Sequence, residues 1–211
     1  MTGAIDAVCR ELGLSPEPAQ TAALAKYLAL LQRWNATHNL TAIREPAAML
    51  TQHLADCLAV IPPLHRHMAQ GRLLDVGSGG GLPGVVIAVM LPAVEVVCVD
   101  AVGKKAAFIR QAAGVLGLRN LRAVHARVED LREAPFEVIT SRAFASLADF
   151  VALTRRHLGA DGVWLAMKGR EPADEIAALP ADTEVFHVEP LRVPGLDAQR
   201  CLIWMRPRRN P

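Results

Sequence analysis

The segment LLDVGSGGGLPG at positions 73–84 has the residue types and spacing of a ligand-binding loop. Asp75 stands two positions before a cluster of four glycines, and Pro83 suits the first turn of a helix. Glycines lack a Cβ, so the backbone can turn sharply and approach a ligand closely. In open α/β sheets, ligands bind where such a loop leaves the end of a strand. The segment therefore predicts a binding loop between a strand and a helix.

The spacing of the loop favours one nucleoside-containing cofactor. A dinucleotide site has the pattern G-x-G-x-x-G, but counting from Gly77 the last glycine is replaced by Leu82. S-adenosylmethionine has no pyrophosphate; it offers an ammonium, a carboxylate and a ribose diol. We expect Asp75 to help hold the methionine end, and Asp100, 21 residues beyond Gly79, to accept both ribose hydroxyls. The sequence predicts an S-adenosylmethionine site.

The segment TSRAFASL at 140–147 narrows the reaction class, because it follows a predicted strand at the same sheet edge. It lacks the Asn/Asp-Pro-Pro-aromatic motif typical of adenine amino methylation, and it has no cysteine nucleophile for cytosine-carbon methylation. Cys98 lies within a predicted strand and is expected to be a core residue. A side chain and a backbone N–H at Val128-Glu129 could cover an adenine, although Glu129 could equally cap a short helical turn.

The elements that position these residues fall into two groups. The first 70 residues predict helices, one of them capped by Ser15 before Pro16 and another ended by Pro62-Pro63. From residue 71 on, apolar β-branched runs alternate with helices, which predicts a largely parallel sheet covered on both faces. The predicted strands are 73–76, 94–99, 121–125, 136–140, 163–168, 185–188 and 201–205, the last two forming an antiparallel hairpin. We expect a helical extension over residues 1–70 and an α/β domain over 71–211.

Composition restricts the partners and the compartment. The 211 residues carry 23 basic and 21 acidic side chains, a net charge of +2, so any nucleic-acid site must be a local patch. The four cysteines are widely separated, with no Cys-x-x-Cys pair among them. We therefore expect neither a disulfide framework nor a metal site. No signal peptide or membrane span is recognisable at the N-terminus, and we expect a cytoplasmic monomer.

Several further motifs, in order along nearly the whole chain, carry a resemblance to a known family. They are Trp34-Asn35, His38-Asn39-Leu40-Thr41, His53 with Asp56, Leu82-Pro83-Gly84, Gly103-Lys104-Lys105, Arg127-Val128-Glu129, Ser141-Arg142-Ala143-Phe144-Ala145, Lys168-Gly169 and Val193-Pro194-Gly195-Leu196. The sequence strongly resembles the bacterial small-subunit ribosomal RNA guanine-N7 methyltransferases, the glucose-inhibited-division protein B family.

The resemblance implies a class I methyltransferase, Rossmann-like with a seven-stranded sheet, that methylates N7 of one guanine in 16S rRNA, free or in the small-subunit particle. It places cofactor contacts on Gly77, Leu82, Val128, Glu129 and Arg142. Guanine N7 carries a lone pair and no proton, so direct attack on the methyl group needs no general base. Catalysis then depends on alignment, whose effective molarities reach about 10^5 to 10^8 M.

Arg142 is the first candidate for a catalytic residue that aligns the base with the methyl group, because arginine commonly contacts guanine O6. Further substrate-binding candidates are Asn35, His38, His53, Lys168, Arg206, Arg208 and Arg209. Trp34 could be a core residue or a platform for a base. Two other functions stay open on the sequence: a methyltransferase for small molecules, and a nucleic-acid-binding module in which S-adenosylmethionine is only structural.

Overall fold

The computed structural model describes residues 1–144 and 146–208, which contain one seven-stranded sheet in the order β3-β2-β1-β4-β5-β7-β6. Strands β1 to β5 are parallel, and β7 pairs antiparallel with both β5 and β6. The predicted parallel sheet and final hairpin are therefore confirmed. The strand bounds are β1 Gly71–Val76, β2 Val94–Asp100, β3 Leu121–His125, β4 Phe136–Arg142, β5 Leu158–Lys168, β6 Thr183–Leu191 and β7 Arg200–Pro207.

Helices precede the sheet and connect its strands. The bounds are α1 Thr2–Glu11, α2 Pro18–His38, α3 Pro46–Met49, α4 Asp56–Leu58, α5 Ile61–His67, α6 Gly84–Met90, α7 Gly103–Leu116, α8 Leu147–Thr154 and α9 Ala173–Ala177. A π-helix, Leu50–Ala55, joins α3 to α4, and 3₁₀ turns lie at Val128–Asp130 and Arg155–His157. In the described part of the chain, no helix combines the length and the apolar composition needed to cross a membrane.

Two predicted helix boundaries are wrong. Helix α2 begins after Glu17 rather than at Ser15, because Glu17 and Gln20 form a reciprocal capping box. Pro62-Pro63 lies in the first turn of α5 instead of ending the preceding helix. A proline in the first turn has no intrahelical N–H bond to lose, so the same residues can begin a helix as readily as end one.

Apolar side chains cover both faces of the sheet. On one face, α6, α7 and the helices before residue 71 bury a continuous cluster that includes Leu24, Val85 and Phe108. On the other face, α8 packs Phe150 near Trp164 of β5. Burial on both faces explains why the strands are continuously apolar rather than alternating.

The helices before residue 71 lie directly over the loop that follows β1. The Tyr27 hydroxyl in α2 donates a hydrogen bond to the carbonyl oxygen of Gly80 at 2.6 Å. Gln20 Nε2 donates to the Val89 carbonyl at 2.8 Å and so attaches the start of α2 to the end of α6. The division into domains at residue 70 stays a prediction, since these helices share a core with the sheet.

The approach of α6 to the sheet generates the first prediction. A Cβ on Gly84 would overlap Cys98 Sγ and lie 2.8 Å from Asp75 Oδ2, so Gly84→Ala should lower the free energy of unfolding by about 1 to 3 kcal/mol. Gly114→Ala is the matched control, because nothing lies within 4 Å of its Cβ position in α7. It should stabilise the protein by up to about 1 kcal/mol. Urea unfolding measures both, and equal stability of the two variants would contradict the predicted close packing.

Candidate active site

The glycine loop adopts a backbone that only glycine accommodates easily. Gly77, Gly79 and Gly81 have φ values of 67°, 57° and 83°. A Cβ on Gly77 would lie 3.1 Å from the ring of Phe144, and one on Gly80 would lie 3.0 Å from Leu31. The loop is therefore held closely between α2 and the segment that follows β4.

Two carboxylates at the ends of β1 and β2 fix the shape of this loop. Asp100 Oδ2 accepts the Gly79 amide at 2.9 Å, and its Oδ1 accepts the Val102 amide at 2.8 Å. Asp75 Oδ2 accepts the Gly84 amide at 2.9 Å, which fixes the start of α6. Each carboxylate thus binds backbone amides that lie up to 21 residues away in the chain.

Asp75 lies beneath the loop and lines neither of the two cavities that adjoin it in the described part of the chain. Its side chain is fully buried, and within the described residues its Oδ1 has no hydrogen-bond partner. Burial raises the pKa of Asp75 to about 7, despite the opposing hydrogen bond from the Gly84 amide. The structure shows Asp75 supporting the loop, and its contact with a cofactor stays a prediction.

Two cavities adjoin at the glycine loop, with Gly77 and Ala143 lining both. The aspartate lobe, of about 340 Å³, lies over the ends of β2 and β3 and is lined by Asp100, Lys105, Val128 and Glu129 among others. The arginine lobe, of about 510 Å³, lies under the helical segment and is lined by Leu82, His53, Asp56, Arg142 and Arg200 among others. Volumes of this size suit small-molecule sites, typically about 300 to 1,000 Å³.

The wall of the aspartate lobe is held from behind by the 3₁₀ turn Arg155–His157, which follows α8. His157 Nε2 lies 2.8 Å from the Val128 carbonyl oxygen, and Arg156 Nη1 donates to the Glu129 carbonyl at 3.0 Å. Glu129 itself is 3.4 Å from Arg127 Nη2, at the rim. These contacts leave the other 3₁₀ turn, Val128–Asp130, facing the cavity. The sequence predicts that this turn covers the adenine.

Asp56 is the central charge of the arginine lobe. It is 3% exposed, and each of its two oxygens accepts a hydrogen bond from a different arginine. Oδ2 accepts from Arg142 Nη1 at 3.3 Å, and Oδ1 accepts from Arg200 Nε at 2.9 Å. Arg142 Nη1 also donates to the Gln52 carbonyl at 3.2 Å. Arg142 is therefore held at the carboxyl end of β4 by groups from the π-helix and α4.

His53 lines the same lobe from the π-helix, a form of helix often found at functional sites. Its Nε2 lies 2.7 Å from Thr41 Oγ1, and its Nδ1 lies 3.3 Å from Arg142 Nη2. Burial, together with the positive charge of Arg142, lowers the pKa of His53 to about 4. The imidazole is therefore uncharged at neutral pH.

Two predicted substrate-binding residues do not line either lobe. Asn35 is buried; its side-chain oxygen accepts the Thr41 amide at 2.8 Å, and its Nδ2 donates to the Ile43 carbonyl at 3.0 Å. It shapes the lobe indirectly, by holding the segment 41–43. His38 is exposed, and its ring lies tilted against Trp34, which is half-buried and packs edge-on against Phe108 of the core.

Among the described basic candidates, Lys168, Arg206 and Arg208 line neither lobe. Lys168 pairs with both oxygens of Glu175, at 3.0 and 2.8 Å, in a cavity beside the arginine lobe. Arg206 lies in β7, where it pairs with Glu184. Arg208 follows that strand and is exposed, and Arg209 lies outside the described residues. Their binding to RNA stays a prediction.

Sequence reasoning assigned no role to Asp56 or Arg200, although both line the arginine lobe. The three-residue spacing of His53 and Asp56 places them on one side of a helix and could have indicated a shared site. Nothing local identified Arg200, whose partner Asp56 lies 144 residues away in the sequence.

The parallel sheet, its antiparallel last hairpin and the glycine loop after β1 define a class I methyltransferase. The fold matches TrmN from Thermus thermophilus with a TM-score of 0.59 and 22% identity, covering 72% of this chain and 48% of that one. It also matches a mutant of MtNAS in complex with S-adenosylmethionine, with a TM-score of 0.61 and 14% identity, covering 88% and 76%. These likenesses show the fold.

The sequence defines the family. The model of the rRNA small subunit methyltransferase G family matches residues 20–203. The enzyme of that name from Acidovorax sp. (strain JS42) is 61% identical over 93% of this chain and 91% of its own length, and that from Bordetella avium is 53% identical over 96% and 92%. The chain belongs to the rRNA small subunit methyltransferase G family. The predicted fold class, methyltransferase activity and S-adenosylmethionine cofactor are confirmed.

Asp100 provides the prediction for this site. Asp100→Ala removes the acceptor of the Gly79 amide and the predicted partner of the ribose, a loss of charged hydrogen bonds of about 1.5 to 3 kcal/mol. We expect affinity for S-adenosylmethionine to fall by about 10- to 150-fold, measured by calorimetry. Asp182→Ala is the control, since Asp182 is an exposed acid paired with Arg155 and lines neither lobe. Unchanged affinity in a folded Asp100→Ala variant would remove Asp100 from the cofactor site.

Proposed function

We propose that this chain transfers the methyl group of S-adenosylmethionine to N7 of one guanine in 16S rRNA, as a cytoplasmic monomer acting on the RNA or the small-subunit particle. The family match over residues 20–203 carries the proposal. The two adjoining lobes support it, because a methyl donor and an acceptor base need separate sites that meet at one point.

The residues of the aspartate lobe fit the nucleoside of the cofactor. Each Asp100 oxygen accepts one amide and keeps a lone pair for a ribose hydroxyl. Val128 and Glu129 would cover the adenine, and the glycine backbone at Gly77 and Gly79 would lie under the chain that leads to the sulfonium. When bound, S-adenosylmethionine supplies a methyl group on positively charged sulfur. Gly77 lines both lobes, so a cofactor that passes over it would extend from the aspartate lobe into the arginine lobe. Its methionine end would there contact Leu82 and Arg142.

The arginine lobe fits an acceptor that needs no base. The N7 lone pair forms the new N–C bond while the C–S bond breaks, and the positive charge passes from sulfur to the purine. In the described part of the lobe the groups with acid or base character are His53, Asp56 and the two arginines. Both Asp56 oxygens already bind arginine, and a free Arg142 N–H can donate to guanine O6 and orient the ring.

The proposed function is tested by mapping the methyl group. Purified protein with labelled S-adenosylmethionine should modify a single guanine in 16S rRNA or small-subunit particles taken from cells that lack the enzyme. Mass mapping should place the label at N7, and particles from wild-type cells should accept almost none. Label in small molecules but not in rRNA would favour a small-molecule methyltransferase, and tight RNA binding without turnover would favour a binding module.

The uncharged state of His53 predicts a reaction rate that is independent of pH. Because the pKa of His53 lies at about 4, the imidazole does not titrate between about pH 6 and pH 8. The single-turnover rate at saturating RNA and cofactor should be flat over that range, and His53→Gln should change binding more than this rate. A rate that falls about tenfold per pH unit on the acid side, and loses this dependence in His53→Gln, would make His53 a catalytic base.

A further inference from the structure

The two arginines of the arginine lobe approach each other across an intervening strand. Arg142 ends β4, Arg200 begins β7, and β5 lies between these strands at the same edge of the sheet. Neighbouring strands are about 4.8 Å apart, so the two backbones are separated by about 10 Å or more. The guanidinium groups nevertheless converge, because each binds a different oxygen of Asp56.

This convergence requires the carboxylate. Two positive guanidinium groups in one cavity repel each other, and Asp56 offsets one of the two charges. Asp56 is almost fully buried, with a side chain 5% exposed, whereas the Arg142 and Arg200 side chains are 20% and 26% exposed. The carboxylate therefore lies at the floor of the lobe, and the arginines form its accessible surface with a net charge of +1.

Within the described residues, the hydrogen bonds leave different donors free on the two arginines. Arg142 Nη1 is used by Gln52 and Asp56, and Nη2 faces His53, so Nε and one hydrogen of Nη2 remain. Arg200 uses Nε for Asp56 and one Nη1 hydrogen for the Gln199 carbonyl, so both Nη2 hydrogens and one on Nη1 remain. Arg200 keeps a fork of donors on one side, the arrangement that binds phosphate oxygens.

Arg200 also lies where the lobe opens to the surface. Gly169 lines both the arginine lobe and the neighbouring surface cavity of residues 168–175. The position of a Cβ on Gly169 is 3.9 Å from Arg200 Nη1. Arg200 does not line the aspartate lobe, which meets the arginine lobe at Gly77 and Ala143. An extended polynucleotide entering from the surface would reach Arg200 before the methyl donor.

We propose that Asp56 is a positioning residue that divides two tasks between its arginines: it holds Arg142 toward the target base and Arg200 toward a phosphate of the same RNA strand. This inference rests on the proposed function. The competing anion is the carboxylate at the methionine end of the cofactor, and the two anions are distinguished by whether the loss of Arg200 weakens RNA binding or cofactor binding.

The test uses the full chain with Arg200→Leu, Arg142→Leu and Asp56→Asn, with unmodified 16S rRNA and S-adenosylmethionine as ligands. Arg192→Leu is the matched control, because it removes the same charge from an exposed arginine that lines neither lobe. Three quantities are measured: the RNA dissociation constant over a KCl series, the dissociation constant of S-adenosylmethionine, and the single-turnover rate at saturation.

Arg200→Leu should weaken RNA binding about tenfold and reduce the slope of log affinity against log salt by about 0.7, the value for one phosphate contact to a single strand. Its affinity for S-adenosylmethionine should stay within about twofold of wild type, and its saturated rate should fall less than that of Arg142→Leu. Arg142→Leu should lower the saturated rate at least about tenfold without changing the salt slope, because it disturbs alignment. Asp56→Asn should show both defects, which a loss of stability alone would not produce.

Weakened cofactor binding with an unchanged RNA salt slope in Arg200→Leu would overturn the proposal, as would RNA binding equal to that of Arg192→Leu. Should Asp56→Asn fail to fold, the contrast between the two arginine variants still decides the division of tasks. A wild-type chain that methylates no site in 16S rRNA would contradict the proposed function instead, and the binding measurements would still show which anion Arg200 contacts.

Discussion

The whole cleft depends on backbone amides that are held by two buried carboxylates at the ends of β1 and β2. Asp100 accepts the Gly79 amide and Asp75 accepts the Gly84 amide, so the loop is fixed at its middle and at its junction with α6. Burying Asp75 is costly, as its raised pKa shows, and the hydrogen bond from the Gly84 amide offsets only part of that cost. Such a buried carboxyl is better explained by the need for one loop conformation than by stability.

The helices before residue 71 supply the other half of the cleft. Tyr27 binds the carbonyl of Gly80, and Asn35 holds the segment 41–43 that lines the arginine lobe. His53 and Asp56 come from the same region. The arginine lobe, which is the proposed place for the acceptor, lies where these helices cover the ends of β1 and β4.

Local sequence patterns predicted the features that depend on local chemistry. The glycine cluster, the alternation of strands with helices and the acid at Asp100 each have a local physical cause, and the structure has them in the expected places. Pro62 was misassigned because the same local rule permits a helix to start or to end there. The pairing of Asp56 with Arg200 joins residues 144 positions apart across the sheet, and no local pattern encodes such a contact.

The charge arrangement of the arginine lobe also explains how a chain with a net charge of only +2 could bind a polyanion. Long-range attraction is weak at this net charge, so selection must come from a few oriented donors at short range. Asp56 reduces the total charge of the lobe, yet it fixes the direction of two guanidinium groups that would otherwise repel each other and turn toward solvent. The lobe thus has a lower total charge but a defined geometry, and geometry is what the proposed methyl transfer without a general base would require.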